Sequence, residues 1–290
     1  MPELPEVETI RHHLAPHVEG RTLALEVLDA RWCRPLAPRE LAAAVDGRTV
    51  ERLSRRGKYL VWELEGDAFL LMHLRMTGTL LLDPPGAPPH VRVWLRLGDH
   101  TVAFSDPRRF GTGELALGPA ALEAFFAARL GVEPLDGDFT AAHLHALARS
   151  SRAPIKAFLL DQKRIAGVGN IYADEALFRA RIHPLRLAKA LTRPQAAALR
   201  DAVVESLNAG IAAKGATIDD FRDPYGVSGT FQNEFLIHLR EGEPCRNCER
   251  PVRKLRAAGR GTYVCEGCQP RPRYAAASSA RAARPPARSS

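Results

Sequence analysis

The chain has 290 residues, 46% of them hydrophobic and 26% charged: an ordinary globular composition, with length for more than one domain. Its formal charge of +8 favours an acidic partner such as nucleic acid, although five arginines in the acid-free stretch 270–290 leave residues 1–269 at only +3. The most apolar run, 69–74, is too short to cross a bilayer, and charges interrupt the N-terminal stretch, so neither a membrane span nor a secretory leader is expected.

The first predicted element is a helix. The chain opens Met1-Pro2-Glu3-Leu4-Pro5-Glu6-Val7-Glu8. Pro5 suits a first helical turn, Glu6 and Glu8 suit the positive end of the helix dipole, and Val7, Ile10 and Leu14 form one apolar stripe. The octapeptide has a second, chemical reading. Removal of Met1 leaves Pro2 with a secondary amine that titrates at about 8 and can hold a carbonyl-like carbon as an iminium, with Glu3 beside it as proton donor.

Segments 22–28, 59–64, 69–74, 91–97 and 101–104 are short and β-rich, punctuated by Gly66-Asp67, Pro84-Pro85-Gly86 and Gly98-Asp99, the pattern of a β-sandwich. A helix is expected over 119–131, then a Pro/Gly/Asp-rich joint at 131–138. From 140 to 213 the pattern is helical, with Leu144, Leu147, Ile155, Phe158, Leu159, Leu177, Leu199 and Val203 as its core. A Gly/Asp/Pro-rich loop at 215–231, a cysteine module and an Ala/Arg/Ser/Pro tail that cannot bury a core complete the chain. The organisation expected is a sandwich domain over 1–135, a helical domain over 136–237, a cysteine module over 238–269 and a disordered basic tail over 270–290.

Cys245-x2-Cys248 and Cys265-x2-Cys268 stand 16 residues apart, the spacing of a four-thiolate zinc ribbon. A pair of disulfides is the alternative, which the cysteine arithmetic of a reducing compartment disfavours. Zinc would supply the folding energy of so small a module, and four sulfur ligands leave no open position, so catalysis lies elsewhere. Cys33 is left as a packing thiol. Arg253-Lys254-Leu255-Arg256 and Gly259-Arg260-Gly261-Thr262 make a basic hairpin suited to phosphates. Gly167-Val168-Gly169-Asn170-Ile171-Tyr172 lacks the third glycine of a dinucleotide loop; it reads as a tight turn between helices at 161–165 and 172–178, whose N–H groups suit phosphate, with a plain helix turn fitting the pattern equally well. Asp106-Pro107-Arg108-Arg109-Phe110-Gly111 and His73-Leu74-Arg75-Met76-Thr77-Gly78 offer arginine, phenylalanine and methionine of the kind that wedges between base steps, with core packing as the bland reading of Met76 and Phe110. Lys58, in Arg56-Gly57-Lys58, reads by itself as a solvated charge on a turn.

In this order, over 1–269, these segments resemble the formamidopyrimidine-DNA glycosylases. The resemblance implies an α+β multidomain fold with an N-terminal β-sandwich, a helix-two-turn-helix domain and a zinc ribbon holding one structural ion. It implies a glycosylase and AP lyase for oxidised purines, with Pro2 as nucleophile, Glu3 as proton donor, and Lys58 and Arg260 in the catalytic set. His73, Met76, Arg108, Arg109, Phe110, Lys156, Asn170 and Tyr225 are implied to contact DNA, with Arg108 facing the orphaned cytosine and Asn170 and Arg260 gripping flanking phosphates. The partner is double-stranded DNA bearing oxidised bases or abasic sites, met by a monomer in the cytoplasm at the nucleoid.

Two departures from the family pattern stand out. The tail runs some twenty residues past Cys268, and the loop at 217–229 matches a lesion-capping loop in position only. The sister endonuclease VIII branch, for oxidised pyrimidines, is the nearest alternative; Leu4 stands where that branch usually has glycine. A non-catalytic zinc-ribbon DNA-binding protein, in which the N-terminus is only a capped helix, is the alternative from another class.

Overall fold

A computed structural model describes residues 2–218 and 221–272. The expectations about removal of Met1 and about most of the basic tail lie outside these residues. The chain divides into two compact units. The first comprises Met1–Glu133, Ile165–Val168 and Leu207–Glu234, and the second Pro134–Arg164, Gly169–Ser206 and Phe235–Ser290. The joint expected near 135 marks the first passage from one unit to the other, but the chain re-enters the first unit twice.

In the first unit, α1 (Leu4–Val18) begins as its sequence dictates. Pro5 lies in the first turn, the Glu6 carboxylate accepts the Glu3 N–H at 2.7 Å, and Leu4, Val7, Ile10, Leu14 and Val18 are buried. Then follow β1 (Leu23–Val27), α2 (Pro38–Val45), β2 (Val50–Arg56), β3 (Tyr59–Leu64), β4 (Ala68–His73), β5 (Thr79–Leu82), β6 (Val91–Leu97), β7 (His100–Ser105), β8 (Thr112–Leu117) and α3 (Pro119–Ala127). The strands form two four-stranded sheets, β1-β6-β7-β5 and β2-β3-β4-β8, and every ladder is antiparallel. Both sheets contribute to one core, with Leu25, Val93, Leu95 and Phe104 from the first and Leu53, Leu60, Trp62, Leu70 and Met72 from the second. The stripe of α1 and Leu41 and Val45 of α2 join it. Cys33 lies in the same core, as a packing thiol would.

The opposite face of the second sheet is also covered. Tyr59, Val61, Phe69 and Leu71 pack with Leu122, Phe125 and Phe126 of α3. Burial on both faces explains why 69–74 reads as an unbroken apolar run rather than an alternating one. α2, β2, β5 and β8 were not legible. β2 buries only Val50 and Leu53 and carries a register shift between Val50 and Arg52, so its composition is that of a polar edge strand.

The second unit contains α4 (Ala141–Arg149), α5 (Ile155–Leu160), α6 (Asn170–Arg179), the first part of α7 (Arg193–Ala212) and the hairpin β9 (Arg253–Ala257) and β10 (Arg260–Val264). Leu144, Ile155, Phe158, Leu159, Leu177, Leu199 and Val203 are buried as expected, while Leu147 is half-buried and Ala148 takes the inward position. The helix expected at 161–165 is instead a turn. The Asp161 carboxylate accepts the Lys163 N–H and Arg164 Nε, both at 3.1 Å, in competition with the helical pattern. Wholly buried Glu175 accepts the N–H groups of Leu236, Ile237 and His238 at 3.0–3.1 Å, fastening the approach to the cysteine module onto α6.

Candidate active site and metal centre

The start of α1 is held by the Glu6 carboxylate. Pro2 and Glu3 are buried at the start of α1. The Leu4 N–H donates to the Gly167 carbonyl at 3.1 Å, and a Cβ on Gly167 would lie 2.7 Å from that of Leu4. With its φ of +81°, Gly167 is therefore a glycine of close approach rather than part of a nucleotide loop. The second oxygen of Glu6 accepts the Ala216 N–H at 2.8 Å, so one side chain joins the N-terminus to the loop at 215–231.

One turn on, Glu8 pairs with Arg11 at 2.6 Å and Arg55 at 3.0 Å, and Arg55 continues to Glu133 at 2.9 Å. Burial alone would raise the Glu8 carboxyl, but the two guanidiniums outweigh it and hold it below the usual carboxylate range. Glu133 also accepts the N–H of Gly57, whose φ is +57°. This series of pairs links α1 to the turn that carries Lys58. Lys58 is 5% exposed, not a solvated charge. His73 is nearly as buried and accepts the Arg75 N–H at its Nδ1 (2.9 Å). Burial, with Arg75 and Lys58 nearby, pushes His73 down to about 3, so it is neutral near pH 7.

Met76 and Phe110 are 44% and 49% exposed, which removes the core-packing reading for both. Their turns share one organiser. Asp106 is fully buried, accepting the Thr77 hydroxyl at 2.5 Å and the N–H groups of Arg108, Phe110 and Gly111 at 3.2, 2.8 and 2.8 Å. The Arg108 guanidinium lies over the Phe110 ring, 4.8 Å from its centroid. Arg109 points elsewhere. Its backbone is left-handed (φ +59°) and its Nε lies 3.6 Å from Asp29. Tyr225 is exposed on the 215–231 loop, where its hydroxyl lies 3.0 Å from His17 Nε2; Asp223 lies 3.2 Å from His13 Nδ1.

In the second unit Asn170 is the first residue of α6 and Arg260 is exposed at the start of β10. The turn between β9 and β10 is Ala258-Gly259, both with positive φ, as a two-residue hairpin of this twist requires. The Asn170 amide donates to the Gly261 carbonyl at 3.2 Å, bringing the two expected phosphate donors to the same short stretch of backbone. Lys156 is a correction. Expected at a DNA surface, it is wholly buried and paired with Asp174 at 2.6 Å.

The four module cysteines converge. Their sulfurs all lie within 4.8 Å of one another, with Cys245–Cys268 at 3.8 Å and Cys248–Cys265 at 3.4 Å. Tetrahedral zinc with sulfurs at about 2.3 Å calls for sulfur–sulfur separations of about 3.8 Å, so the donor set fits one ion. The ribbon's own apolar contribution is small: Cys245, Val252, Tyr263 and Cys265 cluster with Phe178 and Ile237.

Three family models match: the formamidopyrimidine-DNA glycosylase N-terminal domain over 1–113, its H2TH domain over 130–222, and the zinc finger found in FPG and IleRS over 242–271. The Chloroflexus aurantiacus formamidopyrimidine-DNA glycosylase is 44% identical over 93% of this chain and 98% of its own length. The chain belongs to the formamidopyrimidine-DNA glycosylase family. It is a DNA-repair glycosylase with the sandwich, helix-two-turn-helix and zinc-finger plan of that family. The Thermus thermophilus MutM crystal structure superposes with a TM-score of 0.84 at 43% identity, covering 92% of this chain and 98% of that one. A Lactococcus lactis Fpg, solved with DNA containing an abasic site, gives 0.86 at 35% identity over 93% and 100%. Among the described residues no helix is long and apolar enough to cross a membrane.

The organising carboxylates were not singled out from sequence. Asp106 had a local signal, an Asp opening a proline turn whose own N–H groups it caps. Glu6 had a helix-start signal for its bond to the Glu3 N–H but none for Ala216, and Glu133 and Asp174 had none, since partners such as Ala216, Arg55 and His238 are remote in the chain.

Proposed function

We propose that this glycosylase is bifunctional, excising oxidised purines (8-oxoguanine opposite cytosine, and formamidopyrimidines) and then nicking the strand. It acts as a monomer on double-stranded DNA at the nucleoid. The Pro2 nitrogen bonds to C1′ of the damaged nucleotide as the bond from C1′ to the base breaks; the base leaves with the electron pair and takes up the proton that the nitrogen loses, which frees the nitrogen lone pair. Glu3 protonates the sugar ring oxygen, the C1′–O4′ bond opens and the nitrogen lone pair completes an iminium. Loss of the C2′ proton expels the 3′ phosphate, and a second elimination expels the 5′ phosphate, leaving a one-nucleotide gap. Lys58 serves the phosphate and the elimination steps. Met76, Arg108 and Phe110 fill the space of the flipped base, while Asn170 and Arg260 hold flanking phosphates.

The observation that carries this reading is the Glu6 frame, which accepts the Glu3 N–H and starts a rigid helix directly after Pro2. Related Lactococcus lactis structures with abasic-site and Fapy-dG DNA support it. The zinc ion, when bound, is structural, held by Cys245, Cys248, Cys265 and Cys268.

Borohydride reduction during turnover should trap a covalent adduct at Pro2 in protein whose Met1 is shown by mass spectrometry to be absent. Undiminished trapping after the N-terminal amine is blocked would sink the mechanism. The Lactococcus lactis protein has also been solved with oxidised-pyrimidine DNA, which supports a range that extends to pyrimidines. Rates on 8-oxoguanine and thymine-glycol duplexes measure this, and a preference for thymine glycol would reassign the main substrate.

A further inference from the structure

A buried polar cluster in the second unit takes no part in sulfur ligation. Asp174, one helical turn after Asn170 on α6, is 1% exposed, and Lys156 of α5 is wholly buried. Lys156 Nζ donates to Asp174 Oδ1 at 2.6 Å, to Thr262 Oγ1 at 2.8 Å and to the Gly261 carbonyl at 3.3 Å. The buried Thr262 hydroxyl donates onward to the Arg260 carbonyl at 3.2 Å. The other Asp174 oxygen accepts His238 Nδ1 at 2.8 Å and the Tyr263 N–H at 3.4 Å. Apart from His238, the partners beyond the ion pair lie along 260–263, the strand that starts at Arg260.

Desolvating two charges rarely repays itself in stability, and buried pairs of this kind are best attested as devices that fix one arrangement over others. Here the arrangement fixed is that of the hairpin against the start of α6. Asn170 and Lys156 donate to the same Gly261 carbonyl, so one expected phosphate donor and the buried pair meet on the residue next to Arg260.

We propose that Asp174 is a positioning residue: acting through Lys156 and Thr262, it sets the Arg260 turn beside Asn170 before DNA arrives. The proposal rests on the reading that Arg260 holds a phosphate. Pre-ordering spares the hairpin the entropy of being immobilised on binding. Misplacing the guanidinium removes one phosphate contact without altering the chemistry at Pro2.

The test is the salt dependence of affinity for a duplex carrying a tetrahydrofuran abasic analogue, with full-length, zinc-loaded protein. Each phosphate contact contributes about 0.9 to the slope of log K against log salt. Arg260→Ala should lower the slope by about one. Lys156→Met combined with Asp174→Leu removes both buried charges; it should lower the slope equally, with one zinc per chain retained. Adding Arg260→Ala to that double variant should change the slope no further. A zinc-loaded double variant with the wild-type slope overturns the proposal.

Should the double variant lose zinc, Thr262→Val decides, since it takes only one hydroxyl from the relay: a lowered slope supports the proposal and an unchanged slope overturns it. Failure of the underlying reading looks different, because Arg260→Ala itself would then keep the wild-type slope.

Discussion

Asp106 in the first unit and Asp174 in the second are both buried, and each stands close to an exposed arginine, Arg108 or Arg260. Their satisfaction differs. Asp106 is met by three backbone N–H groups within five residues and by the Thr77 hydroxyl, all neutral donors. Asp174 is met by the Lys156 ammonium, His238 and the distant Tyr263 N–H. The first organises a turn by local geometry and the second ties remote segments by charge. They should therefore break in different ways.

The largest effect sets the boundary of the comparison. Metal removal by chelation, or Cys248→Ser, should unfold the ribbon, whose ordering energy of about 10 kcal/mol comes from zinc. The Asp174 cluster would then lose Thr262 and Tyr263, and tight DNA binding should vanish while the Asp106 turn persists. Zinc content and DNA affinity measured on the same sample check this; unchanged affinity in metal-free protein would contradict it.

Next come the two aspartates themselves. Asp174→Ala leaves Lys156 a buried uncompensated charge and should cost about 3–5 kcal/mol in denaturant unfolding, most of it recovered when Lys156→Met is added. Asp106→Ala strands neutral donors and should cost about 1–3 kcal/mol, with no second substitution able to restore it. Equal losses, or no recovery with Lys156→Met, would erase the distinction.

His73 sharpens the comparison through pH. Its folded value of about 3 lies below the ordinary 6.5, so the fold favours the neutral ring. The stability this represents is present in full above about pH 6.5 and is lost as pH falls toward 3, at about 1.4 kcal/mol per unit. The unfolding free energy of His73→Gln should fall less steeply across that window. Parallel pH profiles would show that His73 titrates normally in the fold.

The smallest effect belongs to the arginine that Asp106 presents. Cytosine offers acceptors to a guanidinium fork, whereas adenine puts an amino donor there and leaves bonds unmade, at roughly 1–3 kcal/mol each. Arg108→Ala should narrow the cytosine-over-adenine preference for 8-oxoguanine while a preformed abasic site is cut at nearly the wild-type rate. Undiminished discrimination would pass the reading of the opposite base to Arg109, despite its contact with Asp29.

Much of the architecture was readable because its signals are local. The α1 stripe, the core strands and the two C-x2-C pairs each declare themselves within a few residues. The edge strand β2 was not readable, since it buries only Val50 and Leu53 and its composition follows. Lys156 was misread for a related reason. A lysine's chemistry suits a phosphate or a buried carboxylate equally well, and nothing next to it in the chain distinguishes the two.

By itself, the sequence determined the zinc ligands and the proline–glutamate start of α1, because ligand type and helix-start preference act over short spacings, whereas the exposure of Met76 and Phe110 was decided by the fold. Tertiary structure alone decided that Asp174 would face Lys156, that Glu6 would reach Ala216, and that Gly167 would pass against Leu4. Desolvation is the reason. A buried charge or backbone donor must be met by whatever group the packed chain brings within hydrogen-bond reach, and that is a property of the fold as a whole.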